Sequence, residues 1–489
     1  MKNEINRLPR NYTLLTDEYE FTMSETYFKN KKEKEKAVFD IFFRKVPNAG
    51  GYAIMAGLDK VIEYIKNLHF GEREIAYLER RGYDKDFIEY LKNFKFTGNV
   101  YAIPDGTPVF PNEPIVTIEA PIIEAQIVET ALLSIVNGAM EHATGARRIV
   151  EATPKNVPIM EFGSRRADGL EAAIDASLYG IMAGCAGTSN ALAADMIGES
   201  ALGTQAHSYI ESFEDEYEAF LAYAKAYPNN CLLLVDTIDT LQSGVKNAIR
   251  VAKEYLIPNG YRLKGIRIDS GDLAYLSKMA RKMLDEAGLP DAQICLSNGL
   301  TAKTIKSLID EGACFNSLGV GDNISKPEGR MGCVYKEVAM IKDGKRIPKI
   351  KLSNDIVKTI NPDFKDLYRA YDKDTGYALA DIMVRHGESI NGDKLIIVDP
   401  INILKQSEIT NYNLVPLQKQ IFKDGNLVYD DPTILEKRDY CEEQMNTIYP
   451  EVKREMNPHT YYVDGTLEYV EFKNDMIKKL KKEIVKGDR

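Results

Sequence analysis

At 489 residues the chain is longer than one ordinary hydrophobic core, so two or three domains are expected. Its composition is globular, 44% hydrophobic and 28% charged with no low-complexity tract. The net charge of −10 argues against nucleic acid as a partner, because a phosphate backbone calls for concentrated Lys and Arg.

The N-terminal stretch Met1-Lys-Asn-Glu-Ile-Asn-Arg-Leu8 has no secretory apolar core. A helix is predicted from Thr16 to about residue 30, with Asp17 and Glu18 in its first turn. The basic run Lys29 to Lys36 is broken by Glu33 and Glu35 and reads as a solvated loop. Ala37–Phe43 reads as a strand, and helical periodicity covers 53–95. Short strands at 98–103, 109–110 and 114–119 are separated by turns at Asp105-Gly106 and Pro111-Asn112, and Ile122–Val136 reads as a helix.

From about 150 to 325 the pattern becomes strand, polar tip, helix, repeated, the signature of a parallel sheet. Predicted strands 159–162, 231–235, 265–268, 293–296 and 315–318 each end in a tip rich in Gly, Ser, Asp, Asn or Arg. The tips are Glu161-Phe-Gly-Ser-Arg-Arg166, Asp236-Thr-Ile-Asp239, Asp269-Ser-Gly-Asp272, Ser297-Asn-Gly299 and Gly319-Val-Gly-Asp-Asn323, and all but the last lead into a helix-like stretch. Asp168-Gly-Leu-Glu171 has capping-box spacing and opens a helix to about Gly184. In a closed α/β barrel the strand ends open onto one face, where catalytic groups collect. Five tips in series therefore point to one assembled site in an enzyme. Beyond Ile350 the periodicity weakens until 473–486, where Met476, Ile477, Leu480 and Ile484 share one face of a docked surface helix.

The tips carry recognisable chemistry. Arg165 and Arg166 offer rigid forks suited to phosphate or carboxylate, though they also fit an ordinary surface pair. Gly319 and Gly321 let backbone N–H groups converge on an anion, although a plain turn fits them equally. Arg267 lies inside a strand expected to be buried and so requires an anion. Asp236, Asp239, Asp269 or a substrate carboxylate could serve. His207 stands in the irregular segment Gly203-Thr-Gln-Ala-His-Ser-Tyr209, with Glu199, Glu211 and Glu214 nearby to orient its ring as acid, base or nucleophile. A structural histidine is the plainer alternative. The six cysteines form no CxxC pair, and 185, 231, 295 and 314 have apolar neighbours, as expected of buried thiols in a reducing compartment. The five histidines stand apart, which argues against zinc, and no apolar run approaches about 18–20 residues. A cytoplasmic protein without a membrane span is expected.

Together Asn11-Tyr-Thr-Leu-Leu-Thr-Asp-Glu-Tyr-Glu-Phe-Thr-Met23, Val38–Arg44, Glu161–Ala167, Gly187-Thr-Ser-Asn190, Gly203–Ser208, Leu234-Val-Asp-Thr237 and Arg267–Asp272 resemble the nicotinate phosphoribosyltransferase family. The resemblance continues through Lys351-Leu-Ser353 and Asn457–Val463. It implies an α/β fold: an incomplete, TIM-like α/β barrel with a second α+β domain built from both chain ends. The expected parts are 1–145, a barrel over 146–350, and 351–489 packing back on the first. It further implies a homodimer with shared active sites that condenses nicotinate with 5-phosphoribosyl 1-diphosphate to nicotinate mononucleotide and pyrophosphate in NAD salvage. ATP hydrolysis is coupled through a phosphohistidine, which makes the enzyme a pentosyltransferase and an ATP-dependent ligase, with Mg²⁺ accompanying the diphosphate.

By motif, His207 is implied as the phosphorylated residue and Asp269 as the carboxylate beside the ribose. Tyr19, contributed by the partner subunit, and Phe162 sandwich the pyridine ring, while Ser189 and Arg267 face the nicotinate carboxylate. Arg165, Arg166, Asn298, Gly299, Gly319 and Gly321 are assigned to phosphoribosyl diphosphate, and Asp236 and Asp269 to Mg²⁺ through its bound water. Relatives that use nicotinamide carry Asp where Ser189 stands, which favours the acid here. Asp322 and Asn323 depart from the Thr-Arg that commonly follows the second glycine. A nicotinamide-using or ATP-uncoupled enzyme is the alternative reading, and a catalytically silent ligand-binding homologue is another.

Overall fold

The computed structural model describes residues 11–352, 359–390 and 392–486; the N-terminal stretch Met1–Leu8, Ser353 and the side chain of Ile484 lie outside them. The chain divides into two compact units, one of residues 141–328 with 433–442 and one of 1–140, 329–432 and 443–489.

The first of these holds six parallel strands in the spatial order Gly187–Thr188, Ile159–Glu161, Ser317–Val320, Gln293–Ser297, Gly265–Ile268, Leu232–Leu234. Runs such as Ile294-Cys-Leu296 are buried throughout, as strands covered on both faces must be. In this order each strand lies beside its neighbour in sequence, and the first, Ile159–Glu161, pairs with the last, Ser317–Val320. The single break falls between Gly187–Thr188 and Leu232–Leu234. Mixed α/β architecture with a parallel sheet is thus present as expected, and the last strand begins two residues later than predicted, at Ser317.

At two of the tips an aspartate caps the helix that follows. Asp272 accepts from Tyr275 N–H at 2.9 Å to start Leu273–Glu286, and Asp239 accepts from Leu241 and Gln242 N–H at 3.0 and 2.6 Å. A single helical turn, Asp322–Ser325, also follows the last tip, where none was expected, without a side-chain cap. The predicted capping box at Asp168 is absent. Leu170–Met182 begins after Gly169, while Asp168 reaches across to Lys326 Nζ at 2.7 Å.

In the other unit a seven-stranded antiparallel sheet runs 345–348, 334–342, 36–42, 116–121, 99–102, 419–423, 426–427. The strand Val334–Lys342 pairs with Lys36–Phe42, so the unit holding the parallel sheet closes at Glu328 rather than at the boundary expected near 350. A second sheet, in the order 406–410, 394–398, 463–466, 378–385, 365–372, 412–416, occupies the region where periodicity is weak. Its charged residues are the reason. Arg369 is fully buried, with Nε and Nη2 donating to the Asp381 carboxylate at 2.7 and 2.6 Å, and it lies over the stacked rings of Phe110 and Tyr461. Lys365 Nζ meets Asp40 at 2.7 Å, also in the interior.

Several helices differ in extent from expectation. Residues 53–95 open with the strand Ala53–Ile54 before three helices, and the helix at 122 breaks at Val128 and resumes as Glu129–Ala152. The C-terminal helix begins at Leu467. Among the described residues no helix is long and apolar enough to cross a membrane. Cys185, Cys231, Cys295, Cys333 and Cys441 are buried free thiols; Cys314, expected to join them, is half-buried.

Candidate active site

Arg267 projects from the strand Gly265–Ile268 and is the centre of the constellation. Its side chain is only 12% exposed, so its charge requires partners. Nη2 donates to Asp269 Oδ1 at 2.8 Å, Nε to Ser297 Oγ at 2.8 Å, and Nη1 to Thr204 Oγ1 at 3.3 Å. Of the anions open to it in sequence, Asp269 is the one it meets. Ser297 Oγ donates in turn to Asp269 Oδ1, closing a triangle of serine, arginine and aspartate. Two guanidinium N–H groups remain uncommitted among these contacts.

With Oδ1 held twice, Asp269 keeps Oδ2 3.9 Å from His207 Nε2. His207 opens the short helix His207–Glu211, where an irregular segment was expected. Its Nδ1 lies 3.0 Å from Thr237 Oγ1, so Thr237 and Asp269, rather than Glu199, Glu211 or Glu214, orient the ring. Upstream, Gln205 Oε1 accepts from Leu234 N–H at 3.0 Å, tying the segment before His207 to a strand.

Asp236 organises the neighbouring tips. Its Oδ2 accepts from Asp269 N–H at 3.0 Å and from Ser270 Oγ at 2.6 Å, while its Oδ1 is buried without a hydrogen-bond partner. A buried, unpaired carboxylate oxygen is costly, which suits a site where a cation or a donor binds. Among the described residues no cluster of three or more His, Cys, Asp or Glu forms a dedicated metal cage. Mg²⁺ held by one or two carboxylates together with substrate phosphate needs no such cage, so Asp236 and Asp269 fit that ion.

The first and last tips are neighbours. Phe162 N–H donates to Val320 O at 2.7 Å, and a Cβ on Gly319 would stand 2.6 Å from the Phe162 ring, so only glycine lets the ring lie there. Arg267 lies above the same ring, 5.2 Å from its centroid. Beneath, the buried Glu161 carboxylate accepts from Gly163 N–H, from Ser177 Oγ at 2.9 Å and from Thr188 Oγ1 at 2.6 Å. It therefore fixes both the Phe162 tip and the turn bearing Ser189, which is exposed and whose N–H donates to Glu161 O at 2.9 Å.

Arg165 is exposed, with no carboxylate partner among the described residues. Arg166 Nε instead meets Asp322 Oδ1 at 3.2 Å, and both side chains are 60% exposed, so the pair is readily displaced. Asn298 holds φ +92° and Gly299 φ +57° at the end of their strand. A non-glycine residue in that region is strained, and such strain is concentrated at ligand-binding turns. Asn323 donates to Leu300 O at 2.8 Å, serving the turn.

The structure thus brings together His207, Asp269, Arg267, Asp236 and Phe162. Tyr19 lies in the other unit, 46% exposed, with the Glu129 carboxylate near its hydroxyl. Sequence reasoning missed Thr204, Thr237, Ser297 and Glu161. Thr237 and Ser297 stand within the polar tips, and a hydroxyl beside a tip carboxylate was the available signal.

Comparisons with known proteins agree with this arrangement. Residues 14–137 and 364–473 match the family models described as the nicotinate phosphoribosyltransferase N-terminal and C-terminal domains. A Bacillus subtilis nicotinate phosphoribosyltransferase is 40% identical over 458 residues, 92% of each chain. A Dictyostelium discoideum protein of the same name is 33% identical over 514 residues, covering 93% of this chain and 86% of its own. The crystal structure of human nicotinic acid phosphoribosyltransferase matches with a TM-score of 0.82 and 26% identity, covering 95% of this chain and all of that one. On this likeness, sustained along nearly the whole length, the chain belongs to the nicotinate phosphoribosyltransferase family.

Proposed function

We propose that the chain condenses nicotinate with 5-phosphoribosyl 1-diphosphate, giving nicotinate mononucleotide and pyrophosphate, and couples this to ATP hydrolysis through a phosphohistidine at His207. The names of its relatives support the substrates. The observation that carries the reading is the Arg267–Asp269–Ser297 triangle with His207 beside it. The uncommitted N–H groups of Arg267 take the nicotinate carboxylate, and the Phe162 ring beneath the guanidinium takes the pyridine face. Asp269 Oδ2, left free by the triangle, faces the positive charge that develops on the ribose as diphosphate departs. Arg165, Arg166 and the backbone N–H groups around Asn298, Gly299, Gly319 and Gly321 receive the phosphates. Asp236 and Asp269 would hold Mg²⁺ through its bound water, where the cation supplies positive charge against the departing diphosphate.

The unit with the parallel sheet is read as an incomplete α/β barrel. Its first strand pairs with its last and one junction stays open, an order that a barrel produces and a doubly wound sheet does not. Tyr19 completes the pyridine sandwich from the partner subunit of a homodimer, and buried free thiols suit the reducing cytoplasm.

The test is pyrophosphate release with nicotinate or nicotinamide, each with and without ATP. A desolvated charge pair is worth about 2–5 kcal/mol, so nicotinate is expected to be preferred by roughly a hundredfold or more, with ATP strengthening substrate binding. Equal turnover of acid and amide would sink the substrate assignment; indifference to ATP would remove the coupling.

A further inference from the structure

We propose that Glu161 is a positioning residue for substrate choice, a buried carboxylate that holds the Phe162 ring and the turn bearing Ser189 in one fixed relation. This rests on the reading of Phe162 and Ser189 as residues that face nicotinate, and adds to it the group that sets them against each other.

Glu161 ends the strand Ile159–Glu161, and its register partner on the neighbouring strand is Thr188. Successive side chains alternate along a strand. Glu161 accordingly turns to Ser177 on the helix Leu170–Met182, while Phe162, the next residue, lies against Gly319. The side chains of Glu161, Ser177 and Thr188 are all buried. Among the described residues no lysine or arginine pairs with the Glu161 carboxylate, and its donors are neutral. Gly163 N–H serves one oxygen; Ser177 Oγ at 2.9 Å and Thr188 Oγ1 at 2.6 Å serve the other. Burying a carboxylate without a cation is costly, and an apolar side chain would fill the same space without that cost. Stability alone does not account for the group.

Alignment does. The Gly163 N–H bond fixes the backbone on the far side of Phe162. Thr188 Oγ1 donates to Glu161 and accepts from Asn190 N–H at 2.9 Å, so one hydroxyl spans Ser189 from the residue before it to the residue after. Ser189 N–H itself donates to Glu161 O at 2.9 Å. Asn190 is held in turn, its Oδ1 accepting from Leu192 and Ala193 N–H at 3.1 and 3.2 Å. Ser189 therefore has a tethered backbone and an exposed side chain. One carboxylate thus anchors both the ring on which a pyridine stacks and the hydroxyl that meets the substituent of that pyridine. Nicotinate and nicotinamide differ only at that substituent. Telling them apart depends on where the Ser189 hydroxyl stands relative to the stacked ring, and a hydrogen bond is sensitive to shifts of a few tenths of an ångström.

The deciding experiment compares the full-length parent with Thr188→Val, Thr188→Ser and Glu161→Gln. It reads kcat, melting temperature, and KM for nicotinate, nicotinamide and 5-phosphoribosyl 1-diphosphate. Valine has the shape of threonine but can bond neither to Glu161 nor to Asn190 N–H. Thr188→Val should raise KM for nicotinate by about tenfold, the worth of a hydrogen bond to a charged group, with KM for the diphosphate substrate unchanged within about twofold. The preference for nicotinate over nicotinamide should fall with it. Thr188→Ser should restore both, and Glu161→Gln, which keeps the shape and loses the charge, should lower the preference in the same direction. A merely structural role would lower melting temperature or kcat and leave the KM values and the preference at parent values. That result, in either Thr188→Val or Glu161→Gln, overturns the proposal while leaving the nicotinate reading intact. A Thr188→Ser protein as impaired as Thr188→Val overturns the role of the hydroxyl. A parent enzyme that turns over acid and amide equally overturns the proposal and the reading beneath it together.

Discussion

Ser189 and Glu20 show how single side chains tune this protein. The backbone of Ser189 is tied to Glu161 O at 2.9 Å while its side chain is exposed, so a change there alters chemistry without disturbing the turn. Ser189→Asp should repel a carboxylate substrate and accept an amide, raising KM for nicotinate by about tenfold and narrowing the gap to nicotinamide. An unchanged ratio of the two substrates would remove Ser189 from specificity. Glu20 is buried, and burial pushes its carboxyl from the ordinary 4.5 up to about 8, opposed by hydrogen bonds from Thr130 and reinforced by the nearby Glu129 and Asp17 charges. Between pH 4.5 and about 8 the folded chain therefore holds a proton that the unfolded chain has released. Stability must fall as pH rises through that window. Urea midpoints should decline from the acid to the alkaline end, and Glu20→Gln should flatten the decline; an equal slope in both proteins would contradict the assignment.

Among the elements, strand ends and helix starts decide where the chemistry sits. The strand–tip–helix repeat is legible because buried strands are continuous apolar runs and the tips concentrate capping residues. What the repeat does not reveal is competition from distant partners. Asp168 has the spacing to cap its own helix, yet Lys326, just beyond the last tip, takes the carboxylate at 2.7 Å. Gly319 is the corresponding case for packing. Gly319→Ala would drive a methyl group to within 2.6 Å of the Phe162 ring, which must shift. The expected result is a roughly tenfold rise in KM for nicotinate, with KM for the diphosphate substrate little changed. If both constants stay at parent values, Phe162 is not part of the nicotinate site.

Across the whole molecule, the homodimer reading makes a quantitative demand. Tyr19→Ala and Asp269→Ala should each abolish most activity. When the two are mixed and reassembled, about a quarter of the sites should recover both residues, because a two-fold dimer builds two equivalent sites. Confirmed mixed dimers without recovered activity would exclude Tyr19 from the partner's site.

The sequence by itself determined the family, the parallel strand–tip–helix order and which residue types gather at the strand ends, because these depend on local runs, caps and motifs. It left the second sheet after residue 350 hidden: Lys365, Arg369 and Asp381 occupy core positions and erase the hydrophobic period that marks a strand. Only the tertiary structure decided the contacts within the site. Arg267 meets Thr204 across 63 residues of chain, and His207 meets Thr237 across 30. Hydrogen bonds are settled over tenths of an ångström, and a sequence pattern carries no information at that scale until the strands are paired.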